Sequence, residues 1–88
     1  MTKYTFIFEY KGGTYIKQLF APELKDAIIE WGELIGSDIP KFNKKNKTQL
    51  LSEIHMDAAV LLSGMENVWY LHLALGKNFG HLNIVATL

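Results

Sequence analysis

Histidine, tyrosine and a cluster of lysines are the residues here whose chemistry matters at neutral pH. His72 and His81 fall in two alternating segments near the C-terminus, "VWYLHLAL" and "GHLNIVATL". On neighbouring antiparallel strands the alternation puts both on one side, as diagonal neighbours about 7–8 Å apart. Tyr70 and Asn83 share that side. Two imidazoles at this spacing make part of a metal or small-anion site, or an acid–base pair that works near neutral pH. Zinc asks for a third and fourth ligand, and no acid or cysteine lies close to either histidine in sequence. The ordinary alternative is a pair of solvated strand histidines. No metal and no cofactor is expected; His72 and His81 are the metal candidates if one binds.

The other candidates are weaker. His55 stands two residues from Asp57, and positions two apart do not face each other on a helix. "KFNKKNK" holds Lys41, Lys44, Lys45 and Lys47 around Phe42. Such a loop can touch phosphates or an acidic partner, but it equally describes a solvated connection. "LGKNFG" lacks the glycine spacing of a phosphate-binding loop and reads as a hairpin turn. Ser37, Ser52 and Ser63 lie in no nucleophile context. The acids are scattered, with no pair set for shared proton chemistry. The expected class is therefore not an enzyme.

The elements that position these residues follow from periodicity. In "KYTFIFEY" Tyr4, Phe6, Phe8 and Tyr10 share one face, which is the period-two pattern of a strand. Gly12-Gly13 suits a primed two-residue turn, pairing Tyr10 with Tyr15, Phe8 with Lys17 and Phe6 with Leu19. A three-residue loop pairs Phe6 with Phe20 and Tyr10 with Ile16 instead. "APELKDAIIEWGELIG" predicts a helix with an apolar stripe of Leu24, Ala27, Ile28, Trp31, Leu34 and Ile35, stopped at Gly36. "SDIPKFNKKNK" reads as a loop. "TQLLSEIHMDAAVLLSGM" reads as a second helix carrying Leu51, Ile54, Ala58, Leu61 and Leu62 on one side, although its latter half, "AAVLLS", fits strand or helix alike. A closing hairpin turns at Lys77-Asn78 and pairs Leu73 with Leu82, Leu71 with Ile84 and Trp69 with Ala86.

The order ββααββ predicts one α+β domain, residues 1–88. It has two layers: a four-stranded, mainly antiparallel sheet with two helices on one face. The other sheet face then carries Thr5, Ile7 and Glu9; Ile16, Gln18 and Phe20; Val68, Tyr70, His72 and Ala74; His81, Asn83, Val85 and Thr87. It is more apolar than a solvated face requires, and apolar patches of a few hundred Å² mark contact sites. The candidate binding surface is Ile7, Ile16, Phe20, Tyr70, His72, His81, Asn83 and Val85, and the expected partner is a second copy of the chain or another protein.

Composition narrows the partners. Nine acids balance nine basic residues, and every basic residue is a lysine. Without arginine there is no bidentate grip on phosphate or guanine, and neutrality removes the pull of a nucleic-acid binder. Nucleic acid is therefore not an expected partner, nor is a membrane, because no apolar run approaches the ~20 residues of a spanning helix. The alternating N-terminus is no signal peptide, so a cytoplasmic protein is expected. With no cysteine, the fold rests on packing alone. Over residues 1–35 the hairpin and alanine-containing helix resemble small bacterial antitoxins of the HicB type. That family's acidic-glycine turn and Leu-Pro-Gly segment are missing, and no site residue is carried over from it.

Overall fold

The structure, a computed structural model, describes residues 1–54 and 59–87. Its strands are β1 (Thr2–Tyr10), β2 (Gly13–Ala21), β3 (Val60–Leu61), β4 (Val68–Leu75) and β5 (Asn78–Thr87). The helices are α1 (Leu24–Leu34) and α2 (Lys44–Glu53), and a 3-10 turn over Ile35–Asp38 follows α1. The class is α+β, as the residue pattern implies. The sheet, however, has five antiparallel strands in the order β2-β1-β5-β4-β3, not four.

The extra strand comes from the segment expected to end the second helix. Val60 and Leu61 pair with Tyr70 and Trp69 at the edge of β4. Short apolar runs suit strand or helix equally, and here the unpaired edge of β4 decides. The helix itself starts earlier than expected. Asn43 caps it: its side chain accepts from the Asn46 amide at 2.8 Å, and the Asn46 side chain accepts from the Asn43 amide at 3.1 Å. Lys44, Lys45 and Lys47 thus belong to the first turn of α2 and not to a loop. Cations there oppose the helix dipole, and the reciprocal cap supplies the stop that charge does not. His55, Met56, Asp57, Ala58 and Leu88 lie outside the described residues, and with them the expected middle of that helix.

Both hairpins turn one residue earlier than the two-residue turns the sequence suggests, which shifts each cross-strand partner by two. The first turns on Lys11-Gly12, both at positive φ (49° and 78°), as a primed turn requires. Phe8 therefore faces Tyr15 and Phe6 faces Lys17, in neither of the two expected registers. Gly13 is a strand residue because the Tyr15 ring lies over it: a Cβ there would stand 2.7 Å from the Tyr15 hydroxyl. The second hairpin turns on Gly76-Lys77, with Gly76 at φ 66°. Leu71 then faces Leu82, Trp69 faces Ile84 and Leu73 faces Gly80. The Phe8 ring occupies the space above Gly80, where a Cβ would be 2.4 Å from Phe8 Cε1. A slip of one residue would have exchanged faces; a slip of two leaves every side chain on its expected side.

The inward side is the core. Phe6, Phe8, Leu71, Leu73, Leu82 and Ile84 are fully buried, together with Ala27, Trp31, Ile35 and Leu50 from the helical layer. Trp31 stacks on Phe6 at 5.5 Å and meets Phe8 edge-on at 5.2 Å. Tyr10 stacks on Phe8 at 5.7 Å and takes Phe42 edge-on at 6.1 Å. Leu34, expected in the α1 stripe, is instead 42% exposed. The chain tightens to three residues per turn just after it, and Ile35 takes the inward place.

Both edges of the sheet are guarded. β4 is covered by β3, and further along the Glu53 carboxylate accepts from the Ala74 amide at 2.8 Å. On β2 the helix-facing side carries Lys17, paired with Asp38 at 3.1 Å. An inward-pointing charge is a standard obstacle to strand addition.

Two outcomes follow. Gly80→Ala forces the Phe8 ring aside in a full core and is expected to lower stability by about 1–3 kcal/mol; an unchanged melting temperature would remove the Phe8–Gly80 contact. Burial raises the Tyr10 pKa above its ordinary value of 10.0. The folded chain therefore keeps a phenolic proton that the unfolded chain loses. That contribution is complete below the ordinary value and is lost as pH rises through the folded one. Stability should fall above pH ~10, and Tyr10→Phe should flatten the fall in alkaline denaturation curves.

Candidate functional site

Alternation that buries the even-numbered residues of β1 turns its odd-numbered ones to the opposite side. No helix among the described residues lies there. Cross-strand rows can be read directly from the register. Thr14, Glu9, His81 and His72 form one row; Ile16, Ile7, Asn83, Tyr70 and Val60 form the next; Gln18, Thr5, Val85 and Val68 form a third; Phe20, Lys3 and Thr87 form a fourth. The eight residues expected to make the surface (Ile7, Ile16, Phe20, Tyr70, His72, His81, Asn83 and Val85) all lie on this open face.

The face keeps large apolar groups in water. Ile16 is 66% exposed, Phe20 61%, Val60 59% and Phe79 57%. Ile7, Val68, Tyr70 and Val85 are half-buried by their neighbours. Lys3 Nζ sits 5.6 Å from the centre of the Phe20 ring. Gln18 donates to the Thr5 hydroxyl at 3.0 Å.

The histidines are arranged differently from expectation. Turning the hairpin one residue earlier shifts the pairing by two and sets His72 directly opposite His81, not diagonal to it. Their rings lie 5.3 Å apart. They belong to a continuous ladder: Phe79 stacks on His72 at 4.8 Å, and Tyr70 stacks on His81 at 6.0 Å. The Tyr70 hydroxyl is hydrogen-bonded to His81 Nδ1; with the hydroxyl donating, the neutral imidazole carries its proton on Nε2. A carboxylate does lie beside the pair, contributed by β1: Glu9 is the cross-strand neighbour of His81. Glu9, Thr14, Phe79 and His81 border a shallow hollow of about 280 Å³ at the hairpin end. Among the described residues no three histidine or acidic side chains converge as metal ligands.

The remaining candidates are placed elsewhere. Lys41 stands in a turn at φ 60°. Lys47 pairs with Glu33 at 3.3 Å on the helical layer. Ser37 and Ser52 donate to the carbonyls of Leu34 and Gln49, and the Thr48 hydroxyl donates to Lys44. Those hydroxyls close helix turns. His55 is outside the described residues.

Sequence reasoning missed Lys3, Phe79 and Val60 on this face. Lys3 shares the odd-numbered parity of Ile7 and Glu9, and that signal was available. Phe79 was obscured by the turn assignment, and Val60 by its helical reading.

No protein-family model, no curated protein and no solved structure matches this chain. The resemblance of its opening hairpin and helix to HicB-type antitoxins is therefore one of pattern. No helix among the described residues is long and apolar enough to cross a membrane.

The ladder yields a spectroscopic outcome. Tyr70→Phe keeps the stacking and removes the hydroxyl, so folding stability should change by no more than about 1.5 kcal/mol. The His81 ring nitrogens should pass from one dominant tautomer to a mixture in ¹⁵N spectra at high pH. Identical spectra for the two proteins would show that the hydroxyl does not hold the imidazole.

Proposed function

We propose that this chain is a non-enzymatic protein-interaction module, cytoplasmic, that self-associates through the open face of its sheet. The observation that carries the reading is the cover on one face alone. Two helices seal the even-numbered side of β1, and none of the other described residues seals the opposite side, although it presents Ile7, Ile16, Phe20, Val60, Phe79 and Val85. Exposed apolar surface of this extent on a small domain marks a contact site. The guarded edges favour the same conclusion, since they leave face packing as the open route to assembly.

The polar groups present do not favour catalysis. His72 and His81 are both exposed on an open face, beside a shallow hollow that does not shut out water. A tyrosine–histidine ladder with apolar flanks is instead the composition found at the centres of interfaces, where aromatic side chains supply contact area at low entropic cost.

Light scattering coupled to size-exclusion chromatography tests the reading. The wild-type chain is expected to run as a dimer at micromolar concentration. Ile7→Lys, at the centre of the face, should weaken the dimer at least about tenfold by placing an ammonium in apolar surroundings. Ile29→Lys, an equally polar change at a 59% exposed site on α1, should leave it intact. Circular dichroism establishes that each variant folds. A wild-type monomer at high concentration, or an Ile7→Lys dimer of unchanged strength, would overturn the proposal.

A further inference from the structure

The open face carries two full charges on its strands, and they lie on one strand. Lys3 is near the start of β1 and Glu9 near its end, on the same side, with Thr5 and Ile7 between them. Neither forms an ion pair among the described residues. The rest of the strand surface there is apolar, aromatic, amide, hydroxyl or imidazole. A face with one charge of each sign at opposite ends is its own electrostatic complement once it is turned end for end.

We infer that two copies pack face to face about a two-fold axis that crosses the strands, so that β1 lies antiparallel over the partner's β1 and Lys3 of each copy meets Glu9 of the other. This rests on the open face being the self-association surface and adds the orientation. The axis passes between the row of Ile7 and the row of Thr5. Ile7 and Tyr70 then stand over the partner's third row, and Val68 and Val85 stand over the partner's second. The half-buried residues of both copies meet at the centre, and the charges meet nearer the rim. A two-fold running along β5 instead lays β1 over the partner's β4, which sets Lys3 against the Val68 end of that strand.

Dimensions agree. Strands of eight to ten residues, four abreast, make a face of about 20 by 27 Å. With side-chain relief this approaches the roughly 600–800 Å² per partner of a small stable interface. Stacked sheets stand about 10 Å apart and turn by about 30°. At about 10 Å from the axis that turn displaces the strand ends sideways by about 5 Å. The combined length of a lysine and a glutamate spans both distances. The histidine row lies beside Glu9 and opposite the row that holds the partner's Lys3.

The test uses charge reversal and cross-linking in the full chain. Lys3→Glu and Glu9→Lys should each weaken the dimer at least about tenfold, because each sets like charges together. The double variant should return to within about threefold of wild type. The native chain has no cysteine, so single cysteines report position. A mixture of Lys3→Cys and Glu9→Cys chains should cross-link with a short bis-maleimide, whereas either alone should not. If the wild type dimerises but the single reversals change nothing, or Lys3→Cys chains cross-link to themselves, the orientation is wrong and the open-face dimer stands. If the wild type is monomeric throughout, both ideas fall.

Discussion

The contact of Trp31 with Phe6 and Phe8 is the constraint on which the molecule turns. β1 is bonded to β2 on one side and β5 on the other, so whichever side of β1 faces the helices sets the polarity of the sheet. Trp31 stacks on one phenyl ring and meets the other edge-on, within 5.5 Å of each. Turning β1 over would exchange four aromatic side chains for Lys3, Thr5, Ile7 and Glu9. At roughly 1.5–3 kcal/mol for each large apolar side chain, the loss is comparable with the whole stability of a small domain, about 5–15 kcal/mol. The Trp31 indole N–H is buried with no hydrogen-bond partner among the described residues. An unmet donor costs about 1–3 kcal/mol, less than the ring and its two aromatic neighbours contribute together. The core tolerates this flaw because shape matters more there than polarity.

That dominance explains what the sequence made legible. Parity is a property of one strand, and the rows Tyr4–Tyr10, Leu71–Leu75 and Leu82–Ala86 declare it without reference to neighbours. Register is a property of two strands and their turn. It depended on Gly13 taking the Tyr15 ring and Gly80 taking the Phe8 ring, contacts between residues far apart in the case of Phe8. Hence both turns were placed one residue late, and cross-strand partners two residues off, while every sheet face was assigned correctly. The site inherited the same pattern: all eight expected surface residues share the open face, yet the two histidines prove to be direct partners. The second helix was harder, because its start depends on an Asn43–Asn46 exchange and the Val60–Leu61 run answers to an edge of β4. Neither fact is visible in local periodicity.

The same sheet shows how a small protein disposes of its unmet bonding capacity. A sheet has two edges and two faces, and each can recruit a neighbour. Here one face is closed by α1 and α2. One edge is closed by β3 and by the Glu53 carboxylate, which takes a backbone amide that β3 is too short to reach. The other edge is made unattractive by Lys17, which any added strand would have to accommodate beside Asp38. Three of the four surfaces are thus managed by local chemistry. The fourth is left with isoleucine, valine and aromatic rings in water, an arrangement that costs solubility unless something covers it.

In the proposed dimer such a face would bind through its centre and discriminate through its rim. Ile7, Val68, Tyr70 and Val85 are already half-buried, so covering them loses little side-chain freedom and removes apolar area from water. A charge pair such as Lys3 with Glu9 adds little net affinity once desolvation is counted, but the wrong orientation leaves each charge against an apolar group or a like charge. Lys3 is preorganised for that role because its ammonium is held near the Phe20 ring, where an aromatic face stabilises a cation in water and in a complex alike. In the proposed dimer, Ile7 and its half-buried neighbours would supply the apolar area, and Lys3 with Glu9 would set the direction of stacking, because reversing either charge brings like charges together.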